Sequence, residues 1–201
     1  MSYNQMQFVE PIKDKKRIEQ IKNNLRWSGK IRDLLLFHLG IASALRISDL
    51  LSLKVSDVLN DKGNIKEYFE VTESKTNKKH RVTINPKLVE TIELYKTTYP
   101  NIVNKSDNYL FFAQKTFPLG SKGIDRKMWR LLIDQRCSDI GLVWNYWGHT
   151  LRKTRWFQAR VGGVSLELIQ HKLNHASLTV TKRYLGITND ELAEVCNKLD
   201  L

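Results

Sequence analysis

The sequence predicts an α+β fold that is mostly helical and carries one small antiparallel β-hairpin or sheet. Three observations predict it. Through most of the 201 residues, apolar side chains recur at the three- and four-residue spacing of a helix with one buried face. In a single stretch the pattern changes to alternation, with Val82 and Ile84 set between Arg81 and Thr83, as a half-buried strand requires. No internal repeat, low-complexity tract or Pro/Gly linker divides the chain, so one compact domain is expected.

Each element follows from local signals. Residues 1 to 11 lack the apolar anchors that tie down a terminus and are expected to form an arm ahead of a domain spanning 12 to 201. Lys13 to Leu25 reads as a helix with Ile18, Ile21 and Leu25 on one face, broken by Ser28 and Gly29. Ile31 to Ala44 is a strongly apolar helix and should be central to the core. Arg46 to Leu53 reads as a short helix. Glu67 to Thr72 and His80 to Ile84 read as two strands joined by the polar, turn-like Glu73 to Lys79. Asn85 before Pro86 is a helix start, a capping side chain followed by a first-turn proline. That helix stops before Pro100, and Tyr109 to Phe112 reads as a short strand or extended segment. Five more helices are expected at about Lys122 to Asp139, Thr150 to Val161, Leu166 to Leu173, Leu178 to Tyr184 and Asn189 to Leu199. Ser177 should cap the fourth of these, and Thr188 with Glu191 has capping-box spacing for the last.

Composition narrows the function classes. Lys and Arg total 33 against 21 Asp and Glu, a formal charge of +12, which favours a polyanionic partner, with nucleic acid the commonest. The basic residues cluster at Lys13 to Arg17, Lys75 to Arg81, Lys122 to Arg130 and Arg152 to Arg160 and are not gathered in a tail, as a broad surface touching many phosphates would need. A solvated basic surface is the plain alternative. The two cysteines, Cys137 and Cys196, form neither a disulfide framework nor a zinc site and suit a reducing cytoplasm. Met1 to Lys22 lacks the apolar core of a signal peptide, and the longest apolar stretch, Leu34 to Leu45, is too short to span a bilayer. No membrane partner is expected.

Three groups of residues could carry chemistry. Arg46 lies among apolar residues in Ala44-Leu45-Arg46-Ile47-Ser48-Asp49-Leu50, where a partly buried guanidinium needs a carboxylate such as Asp49 or a phosphate. His149 and Arg152 lie three apart on one face of a helix start, and could present a proton-transfer group beside a bidentate phosphate clamp. Asn174 suits a left-handed helix end, which puts His175 at a helix junction a few residues before Tyr184. Taken singly, each has a structural explanation: an ion pair, a polar helix face, a satisfied core histidine, an amphipathic core tyrosine. His171 and His175 are four apart, but no third metal ligand has suitable spacing.

In this order, the residues resemble the tyrosine recombinase, or phage integrase, family. That family has an arginine in a Leu-Arg-Ile-Ser-acid-Leu setting, matched at Arg46 with Asp49 as its acid. A hairpin-turn lysine is matched by Lys75, a His-x-Leu-Arg box by His149 to Arg152, a Leu-Gly-His-x-Ser box by Leu173 to Ser177, and the nucleophile by Tyr184. The resemblance covers about residues 12 to 190. Four departures stand out: Asp49 for a usual glutamate, Ala44 for a frequent glycine, Lys153 for a common second histidine, and Asn174 for a glycine. Only about a dozen residues precede the first expected catalytic-domain helix, so a separate N-terminal DNA-clamping domain is expected to be absent, as in the small fimbrial phase-switch recombinases.

The resemblance implies a site-specific recombinase that cleaves and rejoins double-stranded DNA through a 3′-phosphotyrosine. Its catalytic set would be Arg46, Lys75, His149, Arg152, His175 and Tyr184, with Asp49 in support and neither metal nor cofactor. It also implies a homo-oligomer, a tetramer on DNA, assembled through the helix at about 189 to 199. Two alternatives remain open: relaxation of DNA in the manner of a type IB topoisomerase, and a non-catalytic DNA-binding accessory protein. The DNA site, and the choice among integration, excision, inversion and resolution, are not encoded in any motif.

Overall fold

The computed structural model describes residues 9–142, 146, 148–173 and 175–187. In chain order these form α1 (Lys15–Trp27), α2 (Ile31–Ser43), α3 (Ile47–Leu51), α4 (Val55–Val58), β1 (Tyr68–Thr72), β2 (Lys79–Thr83), α5 (Pro86–Thr98), α6 (Pro100–Val103), α7 (Arg126–Ser138), α8 (Thr150–Val161), α9 (Leu166–Leu173) and α10 (Leu178–Leu185). The fold class is as expected: mostly helical, with one two-stranded antiparallel sheet. The expected final helix at about 189 to 199 and the left-handed turn at Asn174 lie outside the described residues.

α2 is the axis of the molecule. It buries Leu34, Leu35, Leu36, Phe37 and Leu39, each worth about 1.5–3 kcal/mol when removed from water. α1, α5 and α8 all pack against it. A methyl group added at Gly40 would meet Leu151 Cδ1 at 2.3 Å and Leu50 Cδ2 at 3.0 Å. The missing side chain at Gly40 therefore lets α8 and α3 close onto α2, which brings the chain around Arg46 next to that around Arg152.

The helix starts use the caps read from sequence. Asn85 accepts from Leu88 N–H with Pro86 in the first turn, and Ser177 accepts from Val180 N–H. Of the two forms expected for Tyr109 to Phe112, a short strand or an extended segment, the structure has the second, with isolated bridges to Lys54 and Gly123. Those bridges also explain why α7 begins at Arg126 and not near Lys122. Ala113 N–H donates to Lys122 O and Ile124 N–H to Phe111 O, so residues 122 to 124 pair with the extended segment until Asp125 caps the helix.

In the hairpin, Phe69 faces Val82 across the ladder and both are buried, while Tyr68 opposite Thr83 points the other way. A second, smaller apolar cluster lies apart from the main core. Ile169, Leu173 and Leu185 form it, with Trp156, Ile187 and Tyr184 packed around them. α9 and α10 thus rest on a satellite core of three buried residues, and Tyr184 is attached to that satellite. Val9 to Lys13 straps the two parts together: Ile12 N–H donates to Thr154 Oγ1 at 2.8 Å, and Lys13 Nζ donates to Gly186 O at 3.1 Å.

Candidate active site

Of the expected site residues, Arg46 and Arg152 meet on one carboxylate and His175 packs against Tyr184, while Arg152 also lines a cleft of about 630 Å³ together with Ala44, Glu73, Lys78, His80 and Lys172 among others. α2 ends with Ala44 in the left-handed conformation (φ 53), the backbone form that favours glycine, and it costs an L-residue roughly 1–2 kcal/mol. This turn aims Arg46, at the N-cap of α3, toward the β-hairpin. Ala44 O in turn accepts from Arg152 Nη1 at 2.7 Å.

The two arginines meet on a residue that the sequence reading treated only as part of a turn. Glu73 is 7% exposed, and its carboxylate accepts from Arg46 Nη1 through Oε2 and from Arg152 Nη1 through Oε1 at 3.4 Å. Thr76 Oγ1 donates to the same Oε2 at 2.7 Å, and His80 Nδ1 lies 3.8 Å from Oε1. Burial raises the Glu73 pKa, but the Thr76 and Arg46 hydrogen bonds and the two guanidinium charges outweigh it, so the carboxyl lies below the ordinary carboxylate value. The only sequence signal was an acid two residues before the turn lysine, at the strand end where a buried side chain meets a polar turn.

The ion pair between Arg46 and Asp49, open from sequence, is not formed. Asp49 is buried and its Oδ1 accepts from Ser74 N–H at 3.2 Å and Ser74 Oγ at 2.6 Å. Its shorter side chain therefore anchors the base of the hairpin instead of an arginine. Lys75 lies exposed in the turn that follows, where Asn77 adopts a left-handed conformation (φ 53) and both Thr76 and Asn77 N–H donate to Glu73 O.

His149 occupies the N-cap position of α8. Its pKa is lowered by partial burial and then by the charges of Arg152, Lys153, Arg46 and Lys75. The residue is exposed, which softens the burial effect and leaves the ring of cations as the firmer cause. The imidazole is thereby kept neutral near pH 7 and able to accept a proton.

His175 follows α9 and has Nδ1 3.2 Å from Thr181 Oγ1, which orients the ring and leaves Nε2 for a ligand. Burial and Arg152 lower its pKa. Its ring stands edge-on to Tyr184, with centroids 5.1 Å apart. Tyr184 Oη is buried, and among the described residues no group meets it at hydrogen-bonding geometry. Burial raises the phenol pKa, while the Arg152 charge, its guanidinium lying close enough to interact with the hydroxyl though outside strict hydrogen-bond geometry, and the Arg46 charge pull it down. A buried tyrosine hydroxyl beside two guanidinium groups, without a well-formed hydrogen bond, is a candidate functional group.

Lys153, the departure from the common second histidine, is almost fully buried. It donates from Nζ to Val9 O at 2.7 Å and lies 5.1 Å from the centre of the Tyr184 ring. Burial lowers its pKa. This residue ties the strap of residues 9 to 13 to the tyrosine, a contact invisible in the sequence because its two ends are 144 residues apart. Among the described residues no group of His, Cys, Asp and Glu could hold a metal ion, and no helix is long and apolar enough to cross a membrane.

Comparison with known proteins bears on the family and the fold. The phage integrase family matches residues 13–191. A probable integrase/recombinase, YoeC of Bacillus subtilis (strain 168), is 36% identical over 185 residues, covering 92% of this chain and 93% of its own length. Tyrosine recombinase XerD of Rickettsia bellii is 30% identical over 162 residues, covering 78% of this chain and 52% of its own. The chain thus spans nearly all of one relative and about half of the other. The crystal structure of XerA recombinase superposes with a TM-score of 0.70 at 18% identity, covering 100% of this chain and 66% of that one. XerH recombinase bound to palindromic difH superposes at 0.65 and 19% identity, covering 96% and 55%. Both show a shared fold.

Proposed function

The chain belongs to the phage integrase family, and from that premise we propose that it is a site-specific DNA recombinase that breaks and rejoins strands by tyrosine transesterification. The observation that carries the reading is the buried Tyr184 hydroxyl set beside Arg152, Arg46 and His175. Strand exchange replaces one phosphodiester with another, so no energy source is needed. Tyr184 Oη attacks the phosphorus, the bond to the 5′-oxygen breaks, and the bond energy is kept in a 3′-phosphotyrosine. His149, held neutral, accepts the phenol proton. Lys75, exposed on its turn, gives a proton to the departing 5′-oxygen. Arg46 and Arg152 bind the negative charge that grows on the non-bridging oxygens, and His175 Nε2 hydrogen-bonds one of them. Asp49 supports the set through the hairpin base. With charge supplied by side chains, the reaction needs no metal.

The partner is double-stranded DNA, met by a surface with a +12 charge excess. The domain runs from about residue 12, with the preceding residues as an arm. The compartment is a reducing cytoplasm, in keeping with the buried Cys137, whose thiol is pushed up to about 12 and stays unreactive. The protein acts as a homo-oligomer, a tetramer on DNA, through its C-terminal segment. That segment leaves from Ile187, on the rim of a groove of about 740 Å³ lined by Pro11, Ile12, Leu142 and Tyr146 and edged by Lys13 and Arg17. Its sequence offers Leu192, Val195 and Leu199 to an apolar floor. Seating of that segment in the groove of a second copy would link assembly to Tyr184.

The test is incubation with nicked duplexes drawn from the neighbouring genome in excess chelator. A covalent protein–DNA band is expected, and a strict metal requirement would refute the mechanism. Removing residues 189–201 should spare binding to one half-site and weaken paired binding on a full site. Equal pairing by the shortened protein would mean that the tail only covers its own groove.

A further inference from the structure

Arg46 and Arg152 come from elements far apart in the chain and carry like charges, yet they must present their forks to one phosphate. Two guanidinium groups brought together without an anion between them repel and spread. In this structure the anion is Glu73, which reaches Arg46 with Oε2 and Arg152 with Oε1. Each contact uses the Nη1 nitrogen alone, and a guanidinium carries five N–H donors, so both arginines keep an edge for a second oxyanion. Ala44 O takes a further share of Arg152 Nη1. Asp49, the acid nearest Arg46 in sequence, is occupied with Ser74 and is in no position to replace Glu73.

Glu73 is also the first residue of the turn that carries Lys75. Its N–H donates to Lys78 O, and its own carbonyl accepts from Thr76 and Asn77. Thr76 Oγ1 fixes the carboxylate from within the turn. The strut between the arginines and the mount of the turn lysine are therefore one piece of backbone.

We propose that Glu73 is a positioning residue, a shared carboxylate that sets the spacing and aim of Arg46 and Arg152 and couples them to the seating of the Lys75 turn. This inference rests on the proposed recombinase reaction. On DNA the phosphate takes the remaining edges of both forks while Glu73 stays between them. Withdrawing the turn that bears Lys75 withdraws the strut, so the phosphate clamp and the proton donor come into register together.

The experiment uses the full chain and nicked duplexes whose site is found by sequencing DNA trapped by the wild-type protein. Glu73→Gln keeps the shape but cannot accept from both arginines. It is expected to bind a half-site as the wild type does and to form adduct on the order of 10- to 100-fold more slowly in single turnover, the usual penalty for a misplaced catalytic group. Glu73→Asp, which keeps the charge, should recover part of the rate. In an Arg46→Ala background, Glu73→Gln should add less than about threefold, because groups that act through one another are not additive. Cleavage by Glu73→Gln at or above the wild-type rate would overturn the proposal, because the carboxylate would then be a mere occupant of the phosphate seat. A full additional loss in the Arg46→Ala background would overturn it too, since Glu73 would then act by another route. Should Glu73→Gln not fold, Thr76→Val carries the test by loosening the carboxylate without removing it: several-fold slower cleavage is expected, and an unchanged rate overturns the strut. No adduct from the wild type on any duplex would instead overturn the recombinase reading itself.

Discussion

Tyr184→Phe separates the tyrosine's chemistry from its place in the fold. The hydroxyl is buried and, among the described residues, meets no group at strict hydrogen-bond geometry, with Arg152 close enough only for a weak interaction. An unsatisfied buried hydroxyl costs about 1–3 kcal/mol, and the nearby Arg152 guanidinium returns part of that as charge–dipole attraction. The ring itself, against His175 and the satellite cluster, is unchanged by the substitution. Phenylalanine should therefore stabilise the DNA-free protein by about 1 kcal/mol, a rise of roughly 2–4 °C in melting temperature for a chain of this size. The same variant should bind DNA normally and form no covalent adduct. A urea melt gives the stability and a denaturing gel gives the adduct. A loss of stability would show that the hydroxyl is bonded and that Tyr184 is not poised as argued. An adduct from the phenylalanine variant would move the nucleophile to another residue.

Three further outcomes are expected. Arg46→Ala and Arg152→Ala should each slow cleavage on the order of 10²- to 10³-fold, with lysine a poor rescue because it lacks the fork; near-normal rates from both would return these arginines to a structural role. Lys75→Ala should be slow on ordinary DNA but nearly normal when sulfur replaces the bridging 5′-oxygen, since that leaving group needs no proton; equal defects on both would mean that Lys75 only binds. The last concerns pH. His38 is buried against Thr91 Oγ1 with its pKa lowered to about 4, mainly by burial, so below about 6.5 the unfolded chain binds a proton that the folded chain does not. Stability should fall by about 3 kcal/mol as pH drops from 6.5 to 4, and His38→Gln should flatten that limb of the urea-midpoint profile; an unaltered limb would assign the loss to other groups.

The helices were legible because each carries its own start and stop. Asn85-Pro86, Ser177 and the apolar face of Ile31 to Ala44 act within a few residues, and the structure places those elements where the sequence does. The short α4 and α6 are not among the helices read from sequence, although Asp57 accepts from Lys54 N–H at the start of one and Pro100 opens the other. The partners of the extended run at Tyr109 to Phe112, at Leu53, Lys54, Gly120 and Gly123, are supplied only by the folded chain.

The candidate site divides along the same line. Arg46, Lys75, His149, Arg152, His175 and Tyr184 could be named as candidates from sequence because together, and in this order, they resemble the motifs of the phage integrase family. Glu73 between the arginines, Asp49 turned to Ser74 and Lys153 reaching Val9 could not. A buried charge is satisfied by whatever partner the packing delivers, and that partner need not be near in sequence: Arg152 finds Glu73 from 79 residues away because Gly40 lets α8 close on α2. Local sequence determined which groups are candidates for the chemistry. Only the tertiary structure decided what holds them, because compensating a charge away from water depends on distance in space.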